Sequence, residues 1–221
     1  MSDATVLPAG TPAARRYHST LRSEQAAQTR QRILDAAAEC FSAQGYAGTS
    51  LGDIAKGAGV SVETVKLNGP KRQLLLSSFE RAFAGTEGTE SVADREEGRA
   101  ILELEDNDRF LEAVVRFIAE ATLRTNALWA SFLSAATSDP IIARSFEELL
   151  ERRLGDFRMT IDVFEQRGML LSQADRTELA DALSFLMSPE SYTQLVERAG
   201  WSHERYVAWM LDAISRLILA A

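Results

Sequence analysis

Histidine occurs twice in the sequence, at His18 and His203, and cysteine once, at Cys40. Metal ligation and thiol chemistry need such groups in clusters, and these three are scattered along the chain. No Gly-x-Ser-x-Gly elbow presents a nucleophile. Gly85-Thr86-Glu87-Gly88 is acidic and lacks the lysine of a phosphate-cradling loop. The acidic pairs Glu96-Glu97 and Glu147-Glu148 have no partner that would set acid against base, so they read as solvated faces. The sequence therefore predicts no catalytic residue, no metal site and no cofactor. The informative stretch is Thr49 to Leu76, TSLGDIAKGAGVSVETVKLNGPKRQLLL. Its hydroxyl, carboxylate and cationic side chains lie among apolar residues at helical spacing. That combination suits reversible recognition rather than bond making.

Two short helices are predicted to position these side chains. Ser50-Leu51-Gly52-Asp53 has the form of a capping box, the hydroxyl accepting a backbone N–H and the carboxylate reaching back. Leu51, Ile54, Ala55 and Ala58 then share the inner face of the first helix, and Gly59 ends it. Ser61 caps the second helix, with Val60 and Val65 placed as a hydrophobic staple. Asn68-Gly69 closes that helix, and Pro70 fits the first position of the next, whose stripe is Leu75, Phe79, Ala82 and Phe83. Two short helices meeting at a glycine corner form a helix-turn-helix. The corner holds the second helix rigidly enough to enter a DNA major groove, which is ~12 Å wide. A longer helix from Ser23 to Gln44 precedes the pair, with Ile33, Ala37, Cys40 and Phe41 on one face and Gly45 as its stop.

The net charge of −8 conceals an asymmetry. Residues 1–85 hold 10 Lys+Arg against 7 Asp+Glu, and the remainder holds 14 against 25. A weakly basic head on an acidic body fits a modular DNA binder, because phosphate binding depends on local charge. Residues 1–22 read as a flexible basic arm, broken by Pro8, Gly10 and Pro12 and carrying Arg15, Arg16 and Arg22. The domain reading is an arm over 1–22, a helix-turn-helix DNA-binding domain over 23–84, and a helical ligand-sensing and dimerisation domain over 85–221. The acidic stretch 85–108 reads as a linker with a short helix around 99–104. Further helices are expected at 107–124, 127–137, 140–166 (opened by Asp139-Pro140), to Met187 from Ser172 or Asp175, from Pro189 to Arg198, and over His203–Leu219 after the cap Ser202. The fold class is all-α. No apolar run reaches the ~20 residues of a membrane span, and no secretory leader is present, so a cytoplasmic protein is expected.

The pattern Ile33-Leu34-x-Ala36-Ala37, Phe41, Gly45-Tyr46, Thr49-Ser50, Ile54-Ala55, Ala58-Gly59-Val60-Ser61, Thr64-Val65, Lys71 and Leu74-Leu75 resembles the TetR family of bacterial regulators. The segment from Ser188-Pro189-Glu190-Ser191-Tyr192 through Gly200-Trp201 to Trp209 resembles one branch of that family's regulatory domain. One junction departs from the pattern. The family's tyrosine and phenylalanine after the recognition helix are replaced by Lys66 and Gly69, or the junction is one residue shorter. The shorter junction aligns Lys71 with the family's lysine; the ungapped one aligns Arg72.

The resemblance implies a double-stranded DNA operator as partner. Thr49 and Ser50 would touch phosphates, and Ser61, Val62, Glu63 and Thr64 would sit at the front of the recognition helix. Lys66 and Lys71 or Arg72 would bind phosphates, which position the protein without reading sequence. It also implies a homodimer that presents two recognition helices about 34–36 Å apart. Leu179, Leu183, Leu186, Trp209, Met210, Ala213 and Leu217 are the interface candidates, with filling of the protomer core as their other reading. A pocket for a small apolar effector would lie among the middle helices, with Phe110, Phe117, Trp129, Phe132, Phe146 and Phe164 as candidate lining and Arg116, Arg124 and Asn126 as polar anchors. The function implied is a sequence-specific regulator, a repressor released by its effector. Two rival readings are a helical interaction module that has lost DNA binding and a helical enzyme that binds a small molecule.

Overall fold

The computed structural model describes residues 12–88, 91–170 and 175–219, without the side chains of 12–22 and Val92. Helix α1 spans Pro12–Gly48, α2 Leu51–Ala58, α3 Val62–Leu67 and α4 Lys71–Ala84. A short 3-10 turn at Val92–Asp94 leads into α5, Glu96–Leu102. The long helices α6, Asn107–Ala136, and α7, Pro140–Gln166, follow. Helix α8 covers Arg176–Leu186, α9 Pro189–Tyr192 with a π-helical continuation over Thr193–Arg198, and α10 His203–Leu217. Among the described residues the one extended pairing is an isolated antiparallel bridge between Leu170 and Leu219. The all-α expectation holds.

Local chemistry accounts for most of the boundaries. The side chains of Ser50, Ser61, Asp106, Asp139, Asp175, Ser188 and Ser202 each accept a backbone N–H at a helix start. Each such cap contributes about 1 kcal/mol. Asp139 accepts from Ile141 and Ile142, and Pro140 occupies the first turn, as the sequence predicts. Two expectations change. The helix that begins the head starts at Pro12 rather than Ser23, so the arm extends no further than residue 11; residues 1–11 lie outside the described residues. Alanine, arginine and leucine over 13–22 are strong helix formers, and a proline is tolerated in a first turn. The expected break near residue 125 is absent, and α6 runs unbroken. Thr125 donates its hydroxyl to the Ala121 carbonyl one turn back at 2.7 Å, a bond compatible with the helix, and the Asn126 amide is drawn away from the backbone to Thr193 and Glu197.

Two apolar clusters hold the molecule together. One contains Ile33, Phe41, Ile54, Val65, Leu74 and Phe79 of α1–α4. It continues without interruption into Leu128, Trp129 and Phe132 of α6 and Ile142 and Phe146 of α7. Phe79 meets Trp129 and Phe132 at ring separations of 5.5 and 6.3 Å, and Phe146 closes on the same two rings at 4.9 and 5.1 Å. The other cluster fills the far end of the body with residues of α6, α7, α8 and α10, among them Phe110, Phe164, Leu183, Tyr206 and Met210.

Candidate nucleic-acid interface and adjoining cavity

The corner between α2 and α3 follows from three residues. Ser50 and Asp53 form a reciprocal capping box, with Ser50 N donating to the Asp53 carboxylate at 2.8 Å and Asp53 N donating to Ser50 Oγ at 3.1 Å. The Ser50 hydroxyl, which donates to the Asp53 carboxylate at 2.6 Å, and the Ser50 N–H hold that carboxyl below its ordinary pKa. Gly59 closes α2 at φ 63°, ψ 40°, the left-handed region that penalises any residue with a Cβ. Ser61 then caps α3 by accepting from Thr64 N at 3.1 Å. Val65 is fully buried beneath α3, which fixes its rotation. Glu63, Lys66 and Leu67 therefore face outward, Val62 and Thr64 are half-buried, and Ser50 and Ser61 are exposed.

The expected DNA residues divide accordingly. Glu63 and Lys66 face outward on α3, Val62 and Thr64 lie half-buried on it, Ser61 is exposed at its cap, and Arg72 is exposed in the first turn of α4. Thr49 does not reach solvent. It is 2% exposed, and its hydroxyl donates to the carbonyls of Cys40 and Gly45 at 3.0 and 2.8 Å, tying the end of α1 to the start of α2. Its role is internal: the Thr49 hydroxyl and its backbone N–H, which donates to Gly45 O at 3.2 Å, satisfy carbonyls at the end of α1. Lys71 is partly turned inward. Its ammonium lies 4.3 Å over the Tyr46 ring, and burial lowers its pKa. Pro70 is the cap of α4 rather than its first helical residue.

Two residues of this face are missed by the sequence reading. Leu67 is 88% exposed beside Lys66, an unusual position for a leucine on the outer surface of a short helix. Arg30 of α1 donates from Nη1 to the carbonyl of Asn68, the closing residue of α3, and pairs through its other nitrogens with Glu87. No local signal could have shown this, since Arg30 and Asn68 are brought together only by the fold.

Beneath α4 the body contains two adjoining cavities, of about 430 and 280 Å³. The larger lies between Phe79, Glu80 and Phe83 of α4, Trp129 of α6 and Arg152 and Asp156 of α7. The smaller is walled by Ile101, Leu102, Phe110, Phe117 and Val163. Phe83, Ile118, Arg153 and Asp156 line both. Of the six expected pocket residues, Phe110, Phe117 and Trp129 therefore line cavities. Phe132 and Phe146 are consumed by the aromatic cluster under the head, and Phe164 packs edge-on behind Phe110 at 5.9 Å. The expected anchors lie elsewhere: Arg116 pairs with Glu112 and Glu204, Arg124 donates to the Phe83 carbonyl, and Asn126 bonds Thr193 and Glu197.

Charged groups that the sequence reading overlooked supply the polarity instead. Arg152 donates to one Glu80 oxygen at 2.8 Å, and the backbone N–H of Gly88 donates to the other at 3.1 Å. The Ser91 hydroxyl donates to Asp156 at 2.7 Å, and burial raises the Asp156 carboxyl above its ordinary pKa. Arg153 donates to the Ser184 and Met187 carbonyls at 3.0 and 2.9 Å, and burial lowers its pKa to about 10. Among the described residues no group of three or more His, Cys, Asp and Glu could hold a metal ion, and no helix is long and apolar enough to cross a membrane.

The expected dimer residues are mostly inside the protomer. Leu179, Leu183, Leu186, Met210 and Ala213 are buried in the body core, which corrects their assignment to a surface. The apolar stripe of each helix is spent on its own fold, as an amphipathic helix requires. Trp209 is half-buried against Trp201, and Leu217 is 60% exposed. Phe185 of α8, absent from the expected set, is 71% exposed.

Residues 33–65 match the profile of the bacterial regulatory proteins of the tetR family. A comparison with curated proteins finds no match. Solved structures share the fold. A proposed transcriptional regulator from Saccharomonospora viridis, in complex with choline, superposes with a TM-score of 0.66 at 23% identity, over 88% of this chain and 100% of that one. A proposed TetR-family regulator from Mesorhizobium loti gives 0.66 at 20%, over 88% and 98%. One from a Rhodococcus species gives 0.69 at 17%, over 87% and 99%.

Proposed function

We propose that this protein, a TetR-family transcriptional regulator, is a cytoplasmic homodimeric repressor that binds a double-stranded DNA operator and leaves it when a small effector enters the body. The observation that carries the reading is the outer side of α3. Glu63 and Lys66 stand exposed on a helix whose start and rotation are fixed by Ser61, Gly59 and Val65. Glu63 would accept from a cytosine N4 amine, Val62 or Leu67 would touch a thymine methyl, and Lys66 and Arg72 would hold phosphates. The intact α3 argues against a head that has lost DNA binding, even with Lys66 and Gly69 at the atypical junction.

Release by an effector has its own support. Phe79, Glu80 and Phe83 of α4 line the larger cavity, and the same helix packs against α1 in the head. A molecule entering there would displace α4 and change the spacing of the two heads. Release also requires that the effector bind the DNA-free form more tightly. The S. viridis protein with choline bound is an instance of a small molecule held by this fold. Dimer formation would use the exposed Phe185 of α8 and Leu217 of α10.

Selection of source-genome fragments by the purified protein tests the reading. The expected result is enrichment of an inverted-repeat sequence whose binding weakens steeply with salt. Enrichment of no fragment, at any salt, would remove DNA regulation as the function.

A further inference from the structure

We infer that the effector is an amphiphilic anion: an apolar chain or ring system carrying one carboxylate or similar group, with the anionic end held by Arg153. The inference rests on the proposed effector reading and specifies its ligand. Five ionisable side chains line the cavities, three of them arginines (Arg95, Arg152, Arg153) and two of them carboxylates (Glu80, Asp156). The site thus carries an excess of one positive charge.

That excess has a definite location. Glu80 and Arg152 neutralise one another, and the second Glu80 oxygen is occupied by Gly88 N. Arg95 donates to the carbonyls of Ala84, Thr86 and Gly88 and so pins the loop after α4. Asp156 accepts from Ser91, with Arg95 and Arg152 close enough to favour its charge. Arg153 differs from the others. Its hydrogen-bond acceptors are neutral: the Ser184 hydroxyl and the carbonyls of Ser184 and Met187. Among the described residues no carboxylate pairs with it within 4.0 Å; the Glu190 carboxylate favours its charge from a distance and accepts from Trp129 Nε1 at 2.9 Å. Three of its five N–H groups are used, which leaves two for a ligand.

A buried guanidinium hydrogen-bonded only to neutral acceptors is expensive; burial depresses its pKa, and Glu190, which makes no direct bond to it, offsets that only in part. An incoming carboxylate would supply a directly bonded counter-charge through charge-assisted hydrogen bonds. Arg153 also stands where the two cavities meet, its guanidinium 4.8 Å over Phe157. The smaller cavity runs from there along Leu102, Val114, Phe117 and Val163 and offers an apolar sleeve for the rest of the molecule. A cationic headgroup would instead be repelled by Arg153, with Glu80 already spent on Arg152.

Three probes of matched length decide the matter by calorimetry on the full-length protein: decanoate, decanol and decyltrimethylammonium. Decanoate should bind, with decanol about 10- to 100-fold weaker for want of the charged contact and decyltrimethylammonium weaker still. Arg153→Gln should bring decanoate down to the affinity of decanol while leaving decanol unchanged. The comparison of probes on the wild-type protein stands even if that variant fails to fold. Decanol or the ammonium binding as tightly as decanoate would overturn the anionic assignment and leave the effector reading intact. Failure of all three to bind, alongside undisturbed operator binding by a broad set of small molecules, would overturn both.

Discussion

Arg30 Nη1 donates to the backbone carbonyl of Asn68 at 2.8 Å, so that the helix entering the head grips the closing residue of the helix proposed to enter the groove. The same guanidinium pairs with Glu87, in the loop that leaves α4 for the body. One side chain thus bridges the recognition helix and the connection to the cavity.

Removing that bridge should loosen α3 without unfolding the head. Arg30→Ala is expected to lower operator affinity by about tenfold, the scale of one charged hydrogen bond at a partly exposed site. Glu87→Gln, which keeps the Asn68 contact, should cost markedly less. Fluorescence anisotropy with labelled operator compares the two, and equal losses would show that the Asn68 bond is irrelevant.

Lys66 and Glu63 stand three residues apart on α3, about one turn, and differ in role. Lys66→Ala should reduce the slope of log Kd against log salt by about 1 and weaken all sequences alike. Glu63→Gln should leave that slope unchanged and alter base preference at one operator position. A salt series combined with a panel of single-base operator variants reads both effects; a slope change in the Glu63 variant would contradict its assignment to a base.

The exposed Phe185 of α8 makes a prediction about assembly. Phe185→Glu should convert the dimer to a monomer in sedimentation, since it would place an unpaired charge in the proposed apolar contact. Operator affinity should collapse with it, because each weakly basic head binds poorly alone. Leu183→Glu would instead unfold the body, as Leu183 is buried in the protomer. Persistence of the dimer in Phe185→Glu would move the interface elsewhere.

Asp156 supplies a dependence on pH. Burial raises its folded-state pKa, against the opposing pull of Ser91, Arg95 and Arg152. Below the ordinary carboxylate range both folded and unfolded chains carry the proton and nothing is lost. As pH rises through that range the unfolded chain ionises first, and stability falls until the pH passes the higher folded value. Asp156→Asn, which can still accept from Ser91, removes the effect. Urea denaturation should find the variant more stable than wild type at neutral pH and equal to it in acid. A constant difference across pH would show that Asp156 titrates normally.

The head was largely legible in the sequence, since its geometry is written in short-range chemistry. Ser50 with Asp53, Gly59, and Ser61 above Val65 each act within a few residues, and each adopts the expected role. What escaped depends on distant partners. A threonine at the start of a helix reads as exposed until Cys40 and Gly45 are seen to need its hydroxyl. Leucines at helical spacing on α8 do not reveal whether they face their own core or a second protomer, and Leu179, Leu183 and Leu186 face the core. The aromatic residues of α6 and α7 split between cavity and packing by rotation alone, which no periodicity resolves. The cavity's charges were missed because they read as ordinary surface residues of α7, and Arg152 and Arg153 turn inward only in the company of Glu80 and Met187.

Trp129, Phe132 and Phe146 complete the interior of the head although they belong to α6 and α7, further along the chain. A fragment cut at residue 85 would leave Phe79 facing water, and a chimera joined there would set a foreign α6 against that ring. Exchange of DNA specificity between related proteins by recombination therefore has its workable crossover beyond Phe146, or else in the outward positions of α3 alone. New operator preferences are most cheaply reached by point changes at Glu63 and Leu67, where nothing behind the helix has to be rebuilt.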